Sequence, residues 1–290
     1  MVTQTLMRFE LSPKGPFSLG QSIGFAGGFM PMGQSGQGSH LHLAFVPSGS
    51  EDAVGACVRE ESGAVVVTSS AAVSSEVERM LSLDLDACEL AAVGLRDPVV
   101  GRLLEWYPGL RPVLFTSPFE AAVWAVLSTR VQMRQAARVR ERMALELGTA
   151  VDIHGDVRQA FPAPSRIGAL SSFPGLFGRK PEYLRELAAA AGMGLLDAER
   201  LRALPAAVAL ARLKRLPGIG EFGAELVLIR GCGAPDVLPS AERRVLAAAA
   251  LAYGWSEPSY ERMAEAAEAW RPFRSWVSFL LRKAYADGRL

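Results

Sequence analysis

Two kinds of chemistry are written between Arg212 and Leu246, in the run RLKRLPGIGEFGAELVLIRGCGAPDVLPSAERRVL. Gly218 and Gly220 flank Ile219, so the backbone there can approach a partner closely and turn its amide groups outward. A helix begins directly after Gly220, and its free N–H groups and positive dipole end face the same way. The result is a small anion cradle suited to a nucleic-acid phosphate. Glu242 follows 22 residues past Gly220 and sits in the first turn of a further helix. As residue chemistry it has two readings: a carboxylate acting in a cleft, or an acid that complements the dipole of a helix capped by Ser240.

The elements that hold these residues read as a helix ending near Leu213, the tight hairpin 216–220, a second helix, a loop, and a third helix. Upstream, Ser117-Pro118-Phe119-Glu120 is a capping box with proline at the first helical position. Val123, Val126 and Leu127, then Val139, Met143 and Leu147, supply an apolar stripe that Gly148 stops. Thr129-Arg130 marks a break in what would otherwise be a very long helix. Arg130, Arg134 and Arg138 recur every fourth residue and share a face, which reads either as a solvated helix face or as a phosphate-tracking surface. Further helices are expected at 165–171, 181–191, 197–203, 206–214, 258–270 and 272–286, where Trp270, Phe273, Trp276, Phe279 and Leu280 have core spacing.

The front of the chain differs. His40–Val46, Ala53–Arg59 and Ala64–Thr68 read as strands of an antiparallel sheet. Ser74 or Ser75 caps a short helix through Leu81, and Asp97-Pro98 opens another running to Tyr107. Gly27, Gly28 and Met30–Gly38 read as a loop. The expected fold class is therefore mainly α with an N-terminal α+β domain, residues 1–108 followed by a helical domain, 109–290.

At 290 residues the chain can bury substantial cores. It has no apolar run of membrane-spanning length and no basic-then-apolar leader, and an intracellular, cytoplasmic home is expected. Cys57, Cys88 and Cys232 are odd in number and far apart, which suits neither a disulfide framework nor a metal knuckle. The net charge of +1 conceals an asymmetry, since residues 1–100 carry 5 Lys/Arg against 11 Asp/Glu and the remainder 26 against 19. A basic rear portion fits a polyanion-binding domain behind a structural one.

With these residues assembled, the chain resembles the helix-hairpin-helix DNA glycosylase superfamily, and within it the 3-methyladenine DNA glycosylase II branch. LPGIGEFGAELVLIRGCGAPDV carries the resemblance most strongly. FPAPSRIGAL at 161–170, PFEAAVWAVL at 118–127, AEAWRPFRSWVSFLL at 267–281 and PFSLGQSIGF at 16–25 extend it over nearly the whole chain. The resemblance implies a saddle-like antiparallel-sheet domain, then two helical subdomains with a cleft between them. It implies a monomer that binds double-stranded DNA through the minor groove, bends it, and extrudes an alkylated base into the cleft. Water then attacks the sugar as the base leaves, and a carboxylate supports the charge developing on the sugar. Localisation would follow the DNA, at the nucleoid.

Counted without gaps from Asp236-Val237, the carboxylate position of the family falls on Glu242, one methylene or roughly 1.5 Å longer than the usual aspartate. A one-residue gap that aligns the prolines would place Ala241 there instead. Phe222 occupies the position where strand-cleaving branches carry a lysine, so no abasic-site lyase activity is expected. Phe222 and Phe25 match aromatic pocket positions, where electron-poor bases stack well; each is equally open to being ordinary core. Arg282 falls near a further pocket tryptophan of the family. Ser128-Thr129-Arg130 replaces the turn that touches DNA, with Arg130 as the residue wedged into the stack. Gly218, Ile219 and Gly220 would hold the backbone. No cofactor is expected, apart from a Na+ or K+ ion that hairpin carbonyls in this family can hold. The rival reading is a non-catalytic DNA- or lesion-binding protein on the same fold.

Overall fold

The computed structural model describes residues 6–28 and 35–290. Strand β1 (Met7–Leu11), helix α1 (Leu19–Gly28) and strands β2 (Ser35–Gln37), β3 (His40–Phe45), β4 (Val54–Glu61) and β5 (Ala64–Ser69) open the chain. All strand pairs are antiparallel, in the order β1-β5-β4-β3-β2. Alternation along each strand sends Leu41, Leu43, Phe45, Ala56, Val58, Val65 and Val67 to one face, where they form a core with Leu19 and Ala26 of α1 and with Val77 and Met80 of helix α2 (Ser74–Met80). The three expected strands are present to within two residues at each end.

The expected loop is corrected at both ends. Gly27 and Gly28 close α1, and Ser35–Gln37 pair with β3; residues 29–34 lie outside the described residues. Glycine costs a helix about 1 kcal/mol per residue, and tertiary contacts override that here. Leu19 and Ala26 are buried, and the Leu19 N–H donates to Glu60 Oε2 at 3.0 Å.

Helices α3 (Leu90–Arg96), α4 (Pro98–Trp106), α5 (Pro118–Ser128) and α6 (Met133–Leu147) follow. Asp97 caps α4 as its sequence demands, accepting from the amides of Val99 at 2.9 Å and Val100 at 3.3 Å. Ser117 Oγ accepts the Glu120 amide at 3.1 Å, but the return half of the capping box is absent. The Glu120 carboxylate is instead buried against the Arg140 guanidinium and the Thr116 hydroxyl, because a buried cation on α6 requires a counter-charge. The break after Ser128 is chemical: Ser128 and Thr129 hydroxyls donate back to the carbonyls of Trp124 and Ala125, both at 2.8 Å, and compete for the last turn. Arg130 then takes a left-handed φ of 56°.

A hairpin of β6 (Thr149–Ile153) and β7 (Asp156–Ala160), absent from the sequence expectations, packs on the sheet. Gly55 admits it, since a Cβ there would meet Val151 Cγ1 at 2.7 Å. Helices α7 (Pro164–Gly168), α8 (Lys180–Gly192), α9 (Ala198–Arg202), α10 (Ala206–Leu213) and α11 (Glu221–Leu226) come next. Helix α11 continues into a π turn over Val227–Gly231, closed by the Cys232 amide on the Val227 carbonyl at 2.8 Å. Helices α12 (Arg243–Tyr253), α13 (Tyr260–Ala267) and α14 (Arg274–Ala286) complete the chain. One helical core gathers α5, α6, α8, α11 and the π turn. The other joins α3 and α4 to α12, α13 and α14 around Trp270, Phe273, Trp276 and Phe279. No helix among the described residues is long and apolar enough to cross a membrane.

Candidate active site

A cleft of about 570 Å³ opens where the two helical cores meet the end of α1. Phe25 comes from α1, Trp124 and Ser128 from α5, Phe222 and Leu226 from α11, Arg230 from the π turn, and Phe279, Arg282, Lys283 and Asp287 from the last helix and its cap. Glu242 and Arg244 reach it from the start of α12. A smaller cavity of about 100 Å³ shares Phe222, Leu226, Arg230, Glu242, Phe279 and Arg282.

The aromatic walls differ in kind. Phe222 is 39% exposed, so its ring faces the cleft and not a core. Phe25 serves both: it packs between the sheet core and the C-terminal core, lies 4.8 Å from the Phe279 ring, and still lines the cleft. The Arg230 guanidinium sits over both rings, 5.4 Å from Phe25 and 5.2 Å from Phe279, and donates to the Val113 carbonyl at 2.6 Å. Burial, and then the neighbouring Arg282, push its pKa down to about 9. Arg282 is lowered by burial too, while the Glu242 charge pulls the other way.

Glu242 is the N-cap of α12, its Oε1 accepting the Arg244 amide at 3.0 Å. This corrects two expectations. Glu242 precedes the first turn instead of sitting in it, and Ser240 does not cap the helix. Ser240 is drawn away by Glu225, whose buried carboxylate accepts the Ser240 amide at 2.8 Å, the Ser240 hydroxyl at 2.5 Å and the Ala241 amide at 3.0 Å. Two carboxylates line the cleft, those of Glu242 and Asp287, and Asp287 is engaged by Lys283 and the Tyr107 hydroxyl; Ala241 is not among the lining residues.

In the hairpin, Gly218 has a φ of 79°, and a Cβ there would meet the Tyr183 ring at 2.7 Å. Its close approach is thus to α8. The Ile219 side chain is 5% exposed and belongs to the helical core, while its amide donates to the Leu216 carbonyl at 3.1 Å. Gly220, the N-cap of α11, has open space around its missing Cβ. Lys214 and Glu221 flank the turn as an exposed pair at 2.9 Å. Thr129 and Arg130 are exposed beside the cleft-lining Ser128 and Met133.

Arg230, Phe279 and Glu225 were outside the candidate set. Phe222, Leu226 and Arg230 stand four residues apart, so continuing the helix face past Phe222 is the signal that finds Arg230. Phe279 had core spacing and is indeed mostly buried; nothing local marks its exposed edge. Glu225 acts through residues 15 and 16 positions away, which no local pattern reveals.

No family model matches the chain. It is 22% identical over 210 residues to the DNA-3-methyladenine glycosylase of Bacillus subtilis, covering 71% of this chain and 69% of that protein. It is 30% identical over 195 residues to DNA-3-methyladenine glycosylase 2 of Escherichia coli, covering 65% of this chain and 64% of that one. The match to the probable bifunctional transcriptional activator/DNA repair enzyme AlkA of Mycobacterium tuberculosis is 28% over 217 residues and spans only 41% of that longer protein. In structure, the chain superposes on the 3-methyladenine DNA-glycosylase of Archaeoglobus fulgidus with a TM-score of 0.82 at 23% identity, over 97% of this chain and 99% of the other. Hairpin, cleft and relatives agree: in sequence the chain is similar to DNA-3-methyladenine glycosylases, and it shares the fold of the Archaeoglobus fulgidus enzyme over nearly its whole length.

Proposed function

We propose that the chain is a monofunctional DNA glycosylase of base excision repair that hydrolyses the N-glycosidic bond of alkylated bases in duplex DNA. One observation carries this reading: the Glu242 carboxylate, the exposed Phe222 ring and Phe25 line a single cleft of base-holding size. The base enters between the aromatic walls, and stacking there is worth about 1–3 kcal/mol. Positive charge developing on the sugar faces Glu242, which the α12 amide holds in place, and water completes the substitution.

The amide of Gly220 and those of the first turn of α11 engage a phosphate, and the exposed Arg130 fills the stack on the cleft rim. The carbonyls of Gly218 and Ile219 accept no hydrogen bond from the described residues and fit a Na+ or K+ ion, which would add positive charge toward the same phosphate. Strand cleavage is not part of the reaction, because Phe222 supplies no amine and Lys283 on the cleft wall is held by Asp287 at 2.6 Å. The protein acts as a monomer.

Duplex DNA treated with a methylating agent tests the proposal. The wild-type chain releases methylated bases and leaves intact abasic strands, and no borohydride-trapped adduct forms. Glu242→Gln retains DNA binding and loses base release. Normal release by that variant would remove Glu242 from the reaction.

A further inference from the structure

All three histidines of the chain converge far from the cleft, on the face of the sheet that the β6–β7 hairpin covers. His40 and His42 lie two apart on β3 and so point to the same side, and Cys57 is the register partner of His42 on β4. One ligand atom from each of His40, His42 and Cys57 lies within 4.8 Å of the others. His40 Nδ1 is 3.8 Å from Cys57 Sγ; around a tetrahedral zinc ion, with bonds of about 2.0 and 2.3 Å, such a pair stands about 3.5 Å apart.

The tautomer of His42 is set by its surroundings. Its Nδ1 bonds Asp156 Oδ2 at 2.7 Å, and the Asp156 carboxylate, which also accepts from Arg158 Nε at 2.8 Å, is the acceptor of that bond. Nδ1 is thus the donor, and in the neutral imidazole the lone pair lies on Nε2. That Nε2 is buried and has no hydrogen-bond partner, in a side chain only 3% exposed. An unpaired buried acceptor costs about 1–3 kcal/mol, a cost that the bond to Asp156 on the other nitrogen does not remove and a ligand at Nε2 would. A carboxylate behind a histidine whose other nitrogen is free is the way metal-ligating histidines are held. The exposed His154 on the hairpin turn has its ring 6.1 Å from that of His42, within reach of a fourth position that water would otherwise take.

We propose that His40, His42 and Cys57 bind a borderline-soft divalent ion, Zn2+ by the chemistry of two imidazoles and a thiolate, with Asp156 as the carboxylate that orients His42. The ion would tie the N-terminal sheet to the β6–β7 hairpin. Cys57 would bind as the thiolate, so binding releases its proton.

The test uses the full chain without a polyhistidine tag. Co2+ titration is expected to give a one-to-one end point with a thiolate-to-cobalt band in the near ultraviolet, and Zn2+ to displace it. Cys57→Ala abolishes the band, His42→Ala lowers affinity by at least a hundredfold, and Asp156→Asn lowers it by about 10- to 100-fold. In EDTA the wild type and Cys57→Ala melt at similar temperatures, whereas Zn2+ raises the midpoint of the wild type alone, which separates lost binding from lost folding. Absence of the cobalt band from the wild type, or equal Zn2+ stabilisation of wild type and Cys57→Ala, would overturn the proposal.

Discussion

Replacing Glu225 with Gln keeps the size of a buried side chain and removes its charge, which isolates how the carboxylate of the cleft is positioned. Glu225 is 4% exposed and all three of its hydrogen bonds go to the segment just before Glu242. A glutamine that keeps its oxygen on the Ser240 side turns an NH2 group toward the Ala241 amide, donor against donor. One charge-assisted bond, worth about 1.5–3 kcal/mol, is lost, and a buried N–H is left unpaired. The two surviving bonds weaken with the charge, and the total is roughly 2–4 kcal/mol. At about 2–4 °C per kcal/mol for a chain of this size, the melting midpoint falls by several degrees. Relaxation of the loop moves Glu242, and a shift of about 1 Å can cost on the order of a hundredfold in rate. Thermal melts read the first effect and single-turnover base release from methylated duplex reads the second. Were Glu225→Gln to melt lower yet release bases at the wild-type rate, Glu225 would hold the fold but not the carboxylate.

Phe222→Ala removes a ring that is 39% exposed, so base release should drop by about 5- to 150-fold, the equivalent of about 1–3 kcal/mol of stacking, with little change in the melt. Arg230→Met removes the half-buried cation of the cleft. Its folded pKa of about 9 lies below the ordinary arginine value, so the unfolded chain binds the extra proton above pH 9. The stability of the wild type relative to Arg230→Met should therefore rise as pH is raised from 8 to 11, measured by urea unfolding, and a flat difference would contradict the desolvated cation. Arg140→Met strands the buried Glu120 carboxylate and should cost about 3–5 kcal/mol, much of it recovered by adding Glu120→Gln.

What could be read from the chain is what its chemistry states locally. Asp97-Pro98 and Ser117-Pro118 announce helix starts because cap and helix are contiguous, and the strands at 40–46 and 64–68 announce themselves by period. Gly218 and Gly220 marked the hairpin, though not the division of labour in which Gly218 makes room for Tyr183. Helix α1 was missed because its glycines argue against a helix that Glu60, 41 residues away, helps to start. Glu242 was placed one step too far into α12 because the competitor for Ser240 lies on another helix. The cluster of His40, His42, Cys57 and Asp156 was invisible for the same reason: Asp156 is 114 residues from His42, and the spacing of cysteines alone pointed away from a metal.

The π turn at Val227–Gly231 has a consequence for how the cleft can change over generations. Each residue of an α-helix advances the face by about 100°, and a π turn accommodates a surplus residue without disturbing what precedes it. Phe222 and Leu226 lie before the turn and Arg230 within it. Loss of a single codon there would restore a plain helix, leave the stacking wall in place, and swing a different side chain to the spot that Arg230 holds between two phenyl rings. The charge at the back of the cleft can thus be exchanged by one insertion or deletion, while the hairpin and the Glu242 cap keep their register.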